Sequence, residues 1–157
     1  MKAHRGIARR AALVATLVIA LMSVVGITAC SDSSGGTDSA DGVPFTMPSR
    51  AEIARRASFD FPASTTAFES VKVGDELQVG LKIATTDAAA FETGSGLTLV
   101  AGQRVVTHAS PIWDLNPAGE ISGGNSISKS GKIRRTVEVV TPPTGTQASV
   151  RIVLANA

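Results

Sequence analysis

The sequence predicts an all-β domain, an antiparallel β-sandwich of seven to eight strands, and three observations carry that expectation. Leu77, Val79, Leu81 and Ile83 alternate with Gln78, Gly80, Lys82 and Ala84, the period of two of a half-buried strand. Two further runs, IRRTVEVV at 133–140 and QASVRIVL at 147–154, flank a Pro-Pro-Thr-Gly turn and read as a hairpin. Turn signals recur at Gly74-Asp75, Gly94-Ser95-Gly96, Gly102-Gln103 and Asn116-Pro117-Ala118-Gly119, with no long helical pattern between them. The domain spans residues 47–157, long enough to enclose a core without disulfides.

Before the domain come two segments of different character. The first ten residues, MKAHRGIARR, are basic, and Ala11 to Ile27 is uncharged and apolar. The apolar run is 17 residues long, slightly more than a usual export-signal core and at the lower edge of a spanning helix. Ile27-Thr28-Ala29-Cys30 then places small residues before the chain's one Cys, and a polar run, SDSSGGTDSADG, follows at once. The bland reading, an ordinary positive n-region, accounts for Arg9-Arg10 better than twin-arginine export does, because Ala11-Ala12-Leu13 lacks the rest of that motif.

The stretch Ile27–Cys30 resembles the lipobox of bacterial lipoproteins. The resemblance implies that residues 1–29 are a lipoprotein signal peptide, that the Cys30 thiol receives a diacylglyceryl group, and that cleavage falls between Ala29 and Cys30. Two acyl chains would anchor stably, since each buried methylene contributes roughly 0.8 kcal/mol. Residues 30–46 are then the lipidated Cys and a flexible tether, too poor in apolar residues to offset their ordering entropy. The alternatives are an uncleaved membrane anchor and ordinary secretion.

Charge and cysteine count exclude several classes. The formal charge of the 157 residues is +2, but Lys2, Arg5, Arg9 and Arg10 lie in the signal, which has no acid. Without them 11 basic residues face 13 acidic ones, so a nucleic-acid partner loses its electrostatic support. A single Cys excludes an internal disulfide framework and a Cys-based zinc site.

Along the domain, Ser49-x-x-Glu52 matches a capping box, so Arg50 to Ala57 is either a short helix or a coil with a chance match. Phe59 and Phe61 flank Asp60 and open the period of two. Leu97–Ala101, Val105–His108 and Ile112–Leu115 are shorter strand candidates. In the final hairpin, pairing Thr141 with Thr146 sets Val139 against Ala148 and Val137 against Val150, with Glu138 facing Ser149 and diagonal to Arg151. Apolar residues then share one face, with Arg135 the exception, and that face needs an opposing sheet.

Val73-Gly74-Asp75-Glu76-Leu77, Ile112–Ile121 and the Arg135–Val139 and Val150–Ile152 strands together resemble the strand order of galactose-binding-like jelly rolls; immunoglobulin-like domains of bacterial lipoproteins are similar too. The first resemblance implies carbohydrate binding. Such modules stack sugars on Trp and Tyr, whereas this chain has no Tyr and one Trp.

The candidate ligand-binding residues are Trp113, Asp114 and Asn116. Trp113 is a stacking platform or, alternating with Leu115, a core residue. Asp114-x-Asn116-x-x-Gly119 matches the start of a calcium loop, but Ala118 and Asn125 hold ligand positions, so a type I turn accounts for it better. His108 invites a Ser-His-Asp arrangement with Asp114, yet no Gly-x-Ser-x-Gly elbow accompanies it. Asp75-Glu76 are adjacent and point apart on a strand. Gly94-Ser95-Gly96 and Gly123-Gly124 lack the Lys-Ser/Thr of a phosphate loop. Lys129, Lys132, Arg134, Arg135 and Arg151 form either a contact for anionic polymer or a solvated sheet face.

These readings converge on a lipid-anchored protein of the cell membrane, facing the extracytoplasmic side, with a non-catalytic binding or interaction domain and no cofactor or metal. The expected partners are cell-wall glycan or an envelope protein. The alternatives are a structural accessory subunit of an envelope complex and a hydrolase using His108.

Overall fold

The structure, a computed structural model, describes residues 47–157. The signal peptide, Cys30 and the tether through residue 46 lie outside the described residues. Among these residues no helix is long and apolar enough to cross a membrane.

The domain is mostly sheet. A helix α1 (Arg50–Ala57) precedes a hairpin of β1 (Thr66–Val73) and β2 (Glu76–Ala84). A 3₁₀ turn (Thr85–Asp87) and a short helix α2 (Ala88–Gly94) lead to β3 (Val100–Ala101), and then β4 (Glu120–Ile127), β5 (Ile133–Thr141) and β6 (Gln147–Asn156) follow. All six strands join one antiparallel sheet in the order β1-β2-β6-β5-β4-β3. The chain leaves β2, crosses to the far edge as β3, and returns strand by strand until β6 closes against β2.

The helix signal at Ser49 is real. Its hydroxyl accepts from the Glu52 amide at 3.2 Å, satisfying one of the free donors of the first turn. Glu52 takes Arg56 one turn on, at 3.2 Å. The helix ends at Ser58, whose φ of 58° lets the Phe59 amide close on the Ala54 carbonyl.

The expected sandwich differs from what forms. One six-stranded sheet replaces two sheets of seven to eight strands, and helices with aromatic loops supply the cover that an opposing sheet would have given. Leu77, Val79, Leu81 and Ile83 share the apolar face with Val137 and Val139 of β5 and Ala148, Val150 and Ile152 of β6. Against them pack Ile53 and Ala57 of α1, Phe91 of α2, and Phe59. Phe59, Phe61 and Phe91 stack with centroids 5.4–6.0 Å apart, so residues 59–61 form part of this lid and no strand.

Arg135, the exception on the apolar face, is 3% exposed. Its guanidinium lies over the Phe59 ring, 5.3 Å from the centroid. It donates to the carbonyls of Ala57 and Ser58 at the end of α1, to those of Ser95 and Gly96 after α2, and to Ser126 Oγ. One cation thus ties both helix C-termini, where carbonyls lack partners and the helix dipole is negative, to the sheet. Burial lowers its pKa from the ordinary arginine value.

The final hairpin keeps its predicted faces but slides by two residues. Val137 pairs with Ile152 and Val139 with Val150, which sets Glu138 directly opposite Arg151. A slip of two returns every side chain to the same face. The structure chooses the register in which the two opposite charges meet, as cross-strand pairing favours.

Candidate functional site

The second face of the sheet is covered as well. β5 and β6 are buried on both faces through most of their length. The cover is the segment 102–119, between β3 and β4, which lies over the sheet with no strand of its own. Val105–His108 and Ile112–Leu115 are therefore not strands. The Val105 and Val106 amides turn instead to the Glu138 side chain, and the Ile112 amide to Ser110 Oγ.

One row across four strands organises this face: Gly80, Arg151, Glu138 and Gly123. Glu138 is fully buried, and its Oε1 accepts from Arg151 at 3.1 Å. Its Oε2 accepts from the backbone amides of Val105 and Val106, at 3.2 and 3.3 Å. The carboxylate thus fastens the covering segment to the sheet. Burial lowers the Arg151 pKa, Glu138 and Asp114 oppose that shift, and Arg104 adds to it. At Gly123 the close approach needs a glycine, whereas at Gly80 a Cβ would make an ordinary contact. A Cβ on Gly123 would stand 2.6 Å from the Gln103 carbonyl oxygen, and one on Gly80 would stand 3.4 Å from that of Ile112.

Gln78 lies one pleat along from Gly80. It is fully buried, and neither atom of its amide has a hydrogen-bond partner. Leaving a buried polar group unpaired costs about 1–3 kcal/mol. On the same strand, Glu76 meets His108 at 3.5 Å and Gly80 meets Ile112, so the covering segment passes over the amide between them.

Beside the row opens a cavity of about 270 Å³. Glu69 of β1, Lys82 of β2, Arg151 of β6, Ile112 and Trp113 line it. Trp113 is half-buried, and its indole N–H donates to the His108 carbonyl at 3.4 Å. A wider, more apolar depression of about 470 Å³ shares Glu69 and Ile112 with it and runs on past Phe68 to Met47 and Pro48.

Of the three candidates read from sequence, Trp113 alone lines the cavity. Asp114 is exposed and acts on Arg151 through its charge. Asn116 is exposed and accepts from Arg104 at 3.1 Å. His108 is exposed and paired with Glu76. Among the described residues no three His, Cys, Asp or Glu side chains come together as a metal site.

The basic residues of the C-terminal half do not form one patch. Arg135 and Arg151 are buried on opposite faces, while Lys129 and Arg134 are exposed. Neither a continuous anion-binding surface nor a solvated sheet face describes them. Glu69, Lys82 and Gln78 carry no site signal in the sequence, and Arg151 carries one only as a member of a basic cluster that the structure does not form. The alternation at 78–82 marks this face, and the covering segment closes the cavity over it. Comparison with protein-family models, with curated proteins and with solved structures gave no match for this chain.

Proposed function

We propose that the chain is an envelope lipoprotein, anchored through Cys30, whose domain is a non-catalytic module that binds glycan at the Trp113 cavity. The observation that carries this reading is the company Trp113 keeps. An indole face supplies an apolar platform for the C–H face of a sugar ring. Glu69, Lys82 and Arg151 add acceptors and donors for its hydroxyls around the same space. A few polar groups converging on an apolar wall are the usual make-up of a small-ligand site. Glu69 and Lys82 offset each other, as do Glu138 and Arg151, so the site suits a neutral polyhydroxylated ligand. The adjoining depression extends it in the way a polymer requires.

The test is binding of the full chain, purified in detergent, to an array of soluble galactans, mannans and glucans. Binding should fall at least tenfold with Trp113→Ala. No binding to any of these polymers would defeat the glycan reading.

A second reading, an accessory subunit of an envelope complex, draws on Val100 and Ile127, apolar side chains exposed at the β3–β4 edge. Crosslinking in cells would then give one dominant protein partner, and recovery of monomer alone would count against it.

A further inference from the structure

We propose that segment 102–119 is a strap that lifts from the sheet, and that the polar row beneath it, Gln78, Arg151 and Glu138, is the floor of the ligand site. This rests on the glycan reading and deepens it by naming the groups that recognise the hydroxyls.

The first observation is Gln78. Its amide is fully buried, and both its donor and its acceptor are unpartnered. A packed core gains nothing from such a group, since an apolar side chain of the same length would avoid the desolvation. A ligand hydroxyl, which both donates and accepts, would satisfy it.

The second is the row itself. Glu138 accepts and Arg151 donates, side by side on neighbouring strands, with Gln78 one pleat away. Acceptor, donor and amide thus lie on one face of three neighbouring strands, where a ligand with several hydroxyls can meet all three. The glycines at both ends of the row are covered by Ile112, Gln103 and Val105, all of the strap, so lifting it uncovers both ends.

The third is how the strap is held. It is 18 residues long, well past the length at which an irregular connection inside a domain is usually a lid or binding loop. The Gly102 amide fixes its start on the Ile121 carbonyl at 2.7 Å and its Val106 is buried, while two of its amides share one carboxylate oxygen, Glu138 Oε2, and His108 meets Glu76 at a surface-exposed 3.5 Å contact. Competing hydroxyls can replace the two amides at Glu138 without leaving the carboxylate bare. The strap also carries Trp113, so its return brings the indole onto a bound ring.

Two measurements on the full chain in detergent decide the matter. Amide hydrogen exchange should release Val105 and Val106 roughly 100-fold or more faster than Val150 to Ile152, because the strap opens without unfolding the sheet. Equal protection of both sets would overturn the strap. The second measurement is binding of soluble galactan and mannan to the Gln78→Met variant. This apolar replacement keeps length and should keep the fold, read as an unchanged or raised Tm. Affinity should fall at least tenfold while Trp113 stays in place. A variant that folds and binds as the wild type does would overturn the role of the row. If Gln78→Met fails to fold, Gln78→Glu replaces it, and unchanged affinity overturns the role equally. A wild-type chain that binds neither polymer would overturn both the glycan reading and the ligand role of the row, while the exchange rates alone still decide whether the strap lifts.

Discussion

Arg135 and Arg151 look alike in the sequence, two arginines on adjacent strands, and the fold gives them different work. Arg135 has no carboxylate among its hydrogen-bond partners and holds helix-end carbonyls. Replacing it by Met keeps the stem over Phe59 but leaves those buried carbonyls without a donor. The Arg135→Met variant should lose about 3 kcal/mol of stability in urea unfolding, and a loss below ~1 kcal/mol would show that water takes over the carbonyls. Arg151 instead answers a buried charge. Arg151→Met strands Glu138 at 0% exposure and should cost about 3–5 kcal/mol. Adding Glu138→Leu should return part of that loss. It cannot return all of it, because the Val105 and Val106 amides would then lack their acceptor. Full additivity of the two single losses would contradict the pairing.

At the scale of elements, the covering segment 102–119 is seated on β4 through the missing side chain of Gly123. Gly123 is where the Gln103 carbonyl comes closest to β4. A side chain there must push that carbonyl away. The Gly123→Val variant should cost about 1–3 kcal/mol, with faster exchange at Val105 and Val106 and little change at β2. Unchanged exchange at these two amides would mean that the segment is not seated through this contact. The helix α1 behaves differently, because its start is fixed by its own sequence. Ser49 caps Glu52 wherever the helix packs, and the tertiary contact comes from Ile53 and Ala57. The short α2 has no such label. Its N-cap Asp87 makes no side-chain bond to the first turn, and Phe91 is its buried residue. Its residues, AAAFETG, show no apolar stripe, so packing against the sheet decides it.

For the whole molecule, the anchor and the domain divide the proposed work. If Cys30 is the lipidated residue, Cys30→Ala should abolish palmitate labelling and leave the chain uncleaved or shed from the membrane. Continued labelling of that variant would refute the assignment. The domain's sheet is closed on both faces without a second sheet. α1, α2 and the phenylalanine stack cover one, and 102–119 covers the other. That arrangement is why a chain with one tryptophan and no tyrosine can still present a lined cavity: the covering segment carries its aromatic residue to charged side chains from β1, β2 and β6.

Local pattern in the sequence determined the strands of the final hairpin, the β2 alternation, the Gly74 turn and the cap of α1, because each depends on neighbours within a few residues. It also determined which side chains share a face, since a period of two survives a slip of two. Tertiary structure alone decided the register that sets Glu138 against Arg151, the single sheet in place of a sandwich, and the use of 102–119 as a cover. The reason is that a face labelled polar by alternation is solvated or buried according to what lies across it, and distant parts of the chain supply that. Gln78 reads as an ordinary exposed strand residue until the segment thirty positions on closes over it.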